Sequence, residues 1–401
     1  MFGGELLATG SSSCVFKPTI PCNVGENIHN DKISKIIFSE KSPQIIRTEK
    51  KSNGVIRRIK GNEKWAITFE KYCKPIKMID ILKYDNPGMI DCEEGMDDIK
   101  LFDFDDNSQM LIGKYGGDTM DTHILKLFKR SMNINKTFLQ IMNMVKPLFI
   151  GLEAMHKNKI CHNDIKYNNI VFSDNGFKYI DFGLSGDFKN IDHFKKRAES
   201  EFKTKRFYVF YPIEYIYSFA SDKQLYNEIT RKRKNKNKVI YLSKIFNRDY
   251  NEDMNDIINR IMNDENDFKE LIKGIDTYSL GVAIPLLMFN IFKDEIYDLV
   301  SSNSIISDFF ELFGKMGEPD YKNRISPSQS HKLFQKLLDK YNGVTKPKKT
   351  RKPKKTRKPK KTRKPKKTRK PKETRKPKKT RKPKGTRKPR RVKKSRKVKK
   401  K

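Results

Sequence analysis

The last 56 residues of the chain have a composition that cannot form a folded domain. They hold 36 of the 88 lysines and arginines and one acidic residue, in a Thr-Arg-Lys-Pro-Lys-Lys pattern with a six-residue period. A proline in each repeat prevents a continuous helix, and charge repulsion without apolar side chains prevents a core. We therefore predict a disordered, extended basic tail over 345–401. The globular part carries 52 basic and 47 acidic residues.

The number and spacing of cysteines and the length of the apolar segments indicate in which cellular compartment the protein is expected. Five cysteines, an odd number without a C-x-x-C pair, make zinc or a disulfide framework unexpected and favour reduced thiols. Residues 1–5 show no basic region before an apolar run, so no secretory signal is visible. The longest apolar stretch, 280–292, is too short to cross a bilayer and predicts a buried helix. An intracellular, non-secreted protein without a transmembrane segment is expected.

Periodicity divides the globular part into a strand-rich and a helical half. Strands are predicted at 6–9, 14–17, 32–38 and 110–112, and a helix is predicted at 42–58. From about residue 118 the pattern becomes helical, with apolar stripes or runs at 135–157, 276–292 and 309–341. A polar and basic stretch, 215–275, interrupts this half and is predicted to be an insertion.

One ordered motif carries most of the chemical information. His162, Asp164, Lys166 and Asn169 have the spacing H-x-D-x-K-x-x-N, and Asp181-Phe182-Gly183 follows after two short apolar runs. Two carboxylates and a carboxamide thus lie around one turn, and such oxygen ligands suit Mg²⁺. This order resembles the catalytic and metal-binding loops of eukaryotic-type protein kinases.

The body, over about 1–342, is similar to a serine/threonine protein kinase of the divergent kind encoded by large nucleocytoplasmic DNA viruses. The resemblance implies a two-lobed α+β fold, with a small β-rich N-lobe over about 1–112 and a mainly helical C-lobe over about 116–342. ATP would bind between the lobes. The implied reaction is Mg²⁺-dependent transfer of the ATP γ-phosphate to Ser or Thr hydroxyls of a protein substrate.

The resemblance also implies a role for each motif residue. Asp164 would orient the substrate hydroxyl and accept its proton. Lys166 would neutralise the γ-phosphate, and a lysine here implies serine/threonine rather than tyrosine specificity. Asn169 and Asp181 would hold Mg²⁺ between the phosphates.

The implied phosphate-covering loop is degraded. Only Gly10 remains of the family's three glycines, because Ala8 and Ser13 take the other two places, although small side chains still let backbone N–H groups approach phosphates. A generic β-turn is the alternative interpretation. The candidate ATP-binding residues of this loop are Leu7, Ala8, Thr9, Gly10, Ser11, Ser12, Ser13, Cys14 and Val15.

Three further residues complete the implied nucleotide site. Lys35 would bind phosphate and pair with Glu49, since Glu40 is too close in sequence to reach from another element. The alternative is a lysine on the solvent face of an edge strand. Asp118 would accept hydrogen bonds from the ribose, although Gly116-Gly117-Asp118 is also a common turn.

Later motifs resemble the structural parts of the same family. Tyr211-Pro212-Ile213-Glu214 resembles the end of the activation segment, Arg324 its buried partner, and Asp276 the residue that holds the catalytic loop. Asn163 stands where the family has an arginine that meets a phosphorylated segment. The resemblance therefore implies a kinase that needs no such phosphorylation.

The tail predicts binding to polyanions without sequence preference, because it has many charges and no aromatic side chains. Nucleic acid, an anionic membrane and nuclear import machinery remain open as partners. The tail could also be a low-complexity expansion without a partner. Two other functions stay open, an inactive kinase-fold scaffold and a packaging protein that acts through the tail. The expected location is the host cytoplasm or nucleus, or a virion.

Overall fold

The computed structural model describes residues 5–343, except for 11–12, 39–41, 85, 95–103, 204–207, 219–240, 242, 247–256, 258–259 and 262. Chain contacts divide the molecule into residues 1–346 and 347–401, and all described residues belong to the first unit. The predicted tail and most of the predicted insertion lie outside the described residues.

The small lobe is built on an antiparallel sheet. Its strands are β1 (Glu5–Thr9), β2 (Ser13–Lys17), β3 (Lys32–Phe38), β4 (Phe69–Cys73) and β5 (Ser108–Lys114). Their order is β1-β2-β3-β5-β4, so β3 pairs with β2 on one side and with β5 on the other. The edge-strand alternative for the lysine of β3 is therefore wrong.

The small lobe has a core of its own. Helix α1 (Ser42–Arg57) packs across the sheet, and α2 (Met78–Tyr84), α3 (Asn86–Glu94) and α4 (Phe104–Asn107) connect β4 to β5. Buried apolar side chains of the strands meet those of α2 and α3 in one cluster, which contains Cys14, Phe16, Ile20, Ile36, Phe38, Ile76, Ile81, Met89, Cys92, Met110 and Ile112.

Two disulfide bridges cross-link this lobe. Cys14–Cys92 and Cys22–Cys73 each join Cα atoms 6.0 Å apart. The expectation of reduced thiols is therefore wrong for four of the five cysteines, and only the buried Cys161 remains a thiol. The paired residues lie 78 and 51 positions apart, and spacing along a chain does not show which distant positions a fold brings together.

The large lobe is mainly helical. The helices whose two ends are both described are α5 (Met120–Arg130), α6 (Ile134–Lys157), α7 (Ile191–Lys203), α8 (Ile213–Tyr217), α9 (Glu265–Phe292), α10 (Glu295–Ser302), α11 (Ser304–Met316) and α12 (Pro327–Tyr341). Two short antiparallel pairs join them, β6 (Ile160–Cys161) with β9 (Gly186–Asp187), and β7 (Ile170–Ser173) with β8 (Gly176–Tyr179).

Local sequence explains where several of these helices begin. The Asn133 side chain accepts a hydrogen bond from the Lys136 N–H at the start of α6. Helix α12 begins with a capping box between Ser326 and Gln329, followed by Pro327 in its first turn. The small sheet lobe and the helical lobe together confirm the predicted two-lobed α+β fold class.

Helix α9 is longer than the sequence predicted. It begins at Glu265 rather than Asp276, so residues 265–275 at the end of the predicted insertion are helical and continuous with a core helix. The first turns look polar because one face meets solvent, where Glu265 pairs with Lys269, while Phe268 and the apolar residues after it are buried.

Length and composition alone would allow α9 to cross a bilayer. It is the one helix of the described residues that passes this test, and 78% of its most apolar stretch is buried inside the body. That burial is typical of a core helix, so the test is weak support for a membrane span.

We expect the two bridges to contribute measurably to stability. Replacing Cys22 and Cys73 by alanine should lower the free energy of unfolding by about 2–4 kcal/mol, because the cross-link restricts the unfolded chain. Urea unfolding can be followed by the fluorescence of Trp65, the only tryptophan, which is buried. Dithiothreitol should shift wild-type protein in the same direction, and equal unfolding midpoints with and without it would contradict the pairing.

Candidate active site

The loop after β6 is held by a carboxylate from the middle of α9. Asp276 accepts hydrogen bonds from the backbone N–H groups of His162 at 2.6 Å and Asn163 at 2.9 Å. Asn163 has a left-handed backbone with φ of 60°, which is uncommon outside glycine. These bonds fix the backbone immediately before Asp164.

The loop brings three of the predicted site residues together. The Asp164 carboxylate accepts hydrogen bonds from Lys166 Nζ at 3.1 Å and from Asn169 Nδ2 at 2.7 Å. Asn169 Nδ2 also donates to the Asp164 carbonyl at 2.9 Å. Both bonds use the amide nitrogen of Asn169, so its amide oxygen is the atom left to act as a ligand.

A second cluster joins the small lobe to the Asp181-Phe182-Gly183 turn. Lys35 Nζ lies 2.8 Å from Glu49 Oε1 and 3.3 Å from Asp181 Oδ1. Glu40, the discarded alternative partner, lies outside the described residues. The structure therefore places a lysine of β3, a glutamate of α1 and an aspartate of the large lobe in one ionic network.

Electrostatics favour the charged forms of Lys35 and Asp181, whereas burial raises the pKa of Glu49. Burial would lower the pKa of Lys35, but the negative charges of Asp181 and Glu49 outweigh it and raise that pKa. The charge of Lys35 in turn lowers the pKa of Asp181, although burial opposes the shift. At neutral pH, Asp181 is therefore a carboxylate.

The turn that carries Asp181 is strained and closely packed. Asp181 itself has a left-handed backbone with φ of 60°, and the Phe182 ring is fully buried. A Cβ added at Gly183 would lie 3.1 Å from Glu49 Oε1 and 3.4 Å from Asp181 Oδ1. A glycine here therefore lets the Lys35 network close.

The residues present fit a Mg²⁺ ion. Asp181 and Asn169 offer hard oxygen ligands, and the N–H of Ile180, the residue before Asp181, donates to the Asn169 carbonyl at 3.0 Å. Asp181 keeps 39% of its side chain exposed while bonded to Lys35. Among the described residues there is no group of three or more His, Cys, Asp or Glu that would form an all-protein metal site. Two protein oxygens completed by phosphate and water are the usual way in which proteins hold Mg²⁺.

The phosphate-covering loop is described in part. Gly10 N–H donates to the Ser13 carbonyl at 2.7 Å and closes the turn between β1 and β2, in which Thr9 pairs with Cys14. Leu7 and Ala8 are exposed, whereas Ser11 and Ser12 lie outside the described residues.

Strand pairing decides which side chains of this loop face the cleft. Val15 lies opposite Lys35, and Cys14 lies opposite Ile36. Because successive side chains of a strand alternate between faces, Val15 shares the face of Lys35 while Cys14 enters the small-lobe core. The Cys14 side chain is fully buried and bridged to Cys92, so its backbone is the part that is left to line the loop, and its role in nucleotide binding stays a prediction.

The residues after β5 place Asp118 at the surface. Its carboxylate accepts a hydrogen bond from Lys126 at 2.7 Å, and its carbonyl accepts one from the Phe172 N–H at 2.8 Å. Gly117 has φ of 87° and a Cβ there would lie 2.4 Å from the Phe172 carbonyl oxygen, so the tight turn requires glycine. A ribose contact would have to compete with the Lys126 pair.

A buried ion pair lies at the start of α8. Arg324 and Glu214 are in direct contact with almost no exposed side chain, and Arg324 also donates to the Glu318 carbonyl at 2.8 Å. Removing one partner of such a pair leaves an uncompensated buried charge. The pair therefore anchors the segment that ends at α8.

Sequence reasoning missed three residues beside Asp164. Tyr211 donates to the Asn163 carbonyl at 2.6 Å and accepts a hydrogen bond from Arg197 at 3.2 Å. Burial, followed by the charge of Asp164, raises the pKa of Tyr208, whose ring centroid lies 5.7 Å from Lys166 Nζ. The aromatic run from 207 to 211 was the available signal, but it does not show which hydroxyl meets the loop.

We expect Gly183→Ala to weaken the Lys35 network, because the new methyl group pushes against the Glu49 carboxylate. A rise in KM for ATP of about tenfold would correspond to about 1.4 kcal/mol of lost binding. Gly54→Ala is the matched control on the helix that carries Glu49, since a Cβ there meets nothing within 4 Å. Equal KM values for the two variants would contradict the steric argument.

Comparison with known proteins agrees with this geometry. Residues 56–209 match the family model described as a protein kinase domain. The chain is 33% identical over 93 residues to a MAP kinase kinase of Saccharomyces cerevisiae, which is 22% of this chain and 18% of that protein. It is 29% identical over 210 residues to calcium-dependent protein kinase 3 of Plasmodium yoelii yoelii, 50% of this chain and 29% of that protein.

A third relative is a tyrosine kinase. The chain is 27% identical over 103 residues to the tyrosine-protein kinase receptor torso of Bombyx mori, 22% of this chain and 13% of that protein. All three matches span less than a third of the relative's length. The matched segment, the two lobes and the residues at their cleft agree, and the described body therefore has the fold of a eukaryotic-type protein kinase.

Proposed function

We propose that the chain is an ATP- and Mg²⁺-dependent protein kinase that phosphorylates serine and threonine hydroxyls. The observation that carries the proposal is the closed network of Lys35, Glu49 and Asp181 in the same body as the Asp164 loop. A largely buried lysine is costly without charged partners, and Lys35 has two of them, one from each lobe.

Each residue of the site has a stated task. Lys35 binds the nonreacting phosphates of ATP, and Glu49 holds its ammonium group in place. Asn169 and Asp181 would hold the Mg²⁺, which would supply positive charge to neutralise phosphate oxygens. Asp164 orients the incoming hydroxyl and accepts its proton, and Lys166 balances charge on the transferred phosphoryl group.

Serine/threonine specificity is the finer part of the proposal. Its support is Lys166, which contacts Asp164 directly and so lies beside the acceptor hydroxyl. A relative with the opposite specificity makes tyrosine the alternative acceptor. We also propose membership of the viral branch, because Ala8, Ser13 and Asn163 depart from the usual residues of the family.

An intracellular location is proposed because the reaction needs ATP.

Asp164→Asn should abolish most phosphate transfer while leaving the fold intact. General-base catalysis contributes about 10²–10⁴-fold, so a loss of at least this size is expected. Incorporation of labelled phosphate into serine, threonine and tyrosine peptides gives both the activity and the acceptor type. Asp298→Asn, an exposed aspartate on α10, is the matched control and should retain full activity. A wild-type protein no more active than Asp164→Asn would instead support the scaffold function.

We further propose that the tail binds polyanions without reading sequence. Its support is its composition, 36 basic residues and one acidic residue among 56. Nucleic acid is the favoured partner because dense phosphate releases many counterions when it is neutralised.

Deleting residues 346–401 should abolish retention on duplex DNA but leave peptide phosphorylation unchanged. For the full chain, contact with ten phosphates would give a slope of log K against log salt of about −9. Alanine at the seven repeat threonines is the control, since it keeps every charge. Equal DNA retention by the truncated and full chains would contradict the proposal.

A further inference from the structure

Helix α7 lies between Asp181 and Glu214, in the segment whose end resembles that of an activation segment. It is bonded to the elements on both sides. His193 Nε2 lies 2.9 Å from the Leu184 carbonyl oxygen, and the Phe194 carbonyl accepts a hydrogen bond from Tyr215 Oη at 2.8 Å. Phe194 is fully buried. The helix is therefore part of the packed body.

One hydrogen-bonded chain leads from this helix to the catalytic loop. Arg197 Nε donates to Tyr211 Oη at 3.2 Å, and Tyr211 Oη donates to the Asn163 carbonyl at 2.6 Å. The direction of both bonds is fixed, because a guanidinium only donates and a carbonyl only accepts. The hydroxyl proton of Tyr211 therefore points to the residue that precedes Asp164.

Arg197 itself is held in place. Its Nη2 lies 2.7 Å from Glu201 on the next turn of α7, and its guanidinium lies 5.6 Å from the centre of the Tyr211 ring. The guanidinium thus lies within cation–π range of the same tyrosine to which it donates. An arginine so placed restricts both the position and the hydrogen-bond direction of Tyr211.

The backbone of Asn163 is consequently fixed from two sides. Asp276 of α9 accepts its N–H at 2.9 Å, and Tyr211 donates to its carbonyl. The residue is left-handed, and such a backbone persists where surrounding bonds enforce it. Asp164 follows directly, so its orientation depends on both anchors.

We propose that Arg197, acting through Tyr211, is a positioning residue for Asp164 that holds the catalytic loop competent without a phosphate on the segment. The inference rests on the proposed kinase function. Asn163 is uncharged, and its carbonyl is held by the Tyr211 hydroxyl, which Arg197 of α7 holds in turn, so this anchor comes from the same chain and needs no modification.

The first test compares Arg197→Met and Tyr211→Phe with the full-length wild type. Misplacing Asp164 should lower kcat about 10–100-fold, since small errors of position are costly in catalysis. KM for ATP should stay within about twofold, because Lys35, Glu49 and Asp181 are untouched. Lys196→Met removes a neighbouring exposed charge of α7 and should change neither value.

Three further measurements test positioning against general stability and against activation by phosphorylation. The double variant should be no slower than Tyr211→Phe alone, because both substitutions break one chain of bonds. Arg197→Lys should recover part of kcat, since it restores a donor. Phosphatase-treated wild type should keep full activity. Loss of activity on phosphatase treatment, or an unchanged kcat in Arg197→Met, would overturn the inference.

Amide hydrogen exchange tests the same coupling without catalysis. In Arg197→Met the N–H groups of His162 and Asn163 should exchange faster than in Lys196→Met, with unchanged rates in the small lobe. Equal exchange in the two variants overturns the inference whatever the activity. If wild type proves no more active than Asp164→Asn, the proposed function fails, and exchange alone then decides whether Arg197 positions the loop.

Discussion

The structure depends on one buried carboxylate. Asp276 lies within the apolar helix α9, where an unpaired charge would be prohibitively costly, and it binds the N–H groups of His162 and Asn163. Arg324, which also donates to the Gly274 carbonyl of α9 at 3.4 Å, binds Glu214. The loop that carries Asp164 and the segment that ends at α8 are therefore both positioned by contacts with the same helix, α9.

The small lobe meets this framework through Lys35. Its ammonium group contacts Glu49 of α1 and Asp181 of the large lobe, so the three elements must approach together for the lysine to be satisfied. A scaffold would need neither this network nor the bonds from Asn169 and Lys166 to Asp164. Physical cost thus favours an enzyme over an inactive fold, even though the phosphate-covering loop has lost two glycines.

The spacing of apolar residues predicted those strands and helices in which the apolar positions are also the buried ones. The strand over 32–38 has the bounds of β3, the helix over 42–58 ends one residue beyond α1, and the fourteen-residue step from Lys35 to Glu49 spans the two elements that bring them together. Tertiary contacts decided the rest. The start of α9 was missed because its outer turns face solvent, and Tyr211 was assigned no hydroxyl role because its partner is a backbone carbonyl.

The nested arrangement of the bridges has a consequence for biosynthesis. The loop closed by Cys22 and Cys73 lies wholly inside the one closed by Cys14 and Cys92, and both end before α5 begins. A ribosome that has released the first hundred residues has therefore released every sulfur that the bridges need. Where an oxidant is present to take up the thiol electrons, the small lobe can become a covalently closed unit before α9, the helix that later orders the loop of Asp164, has been translated.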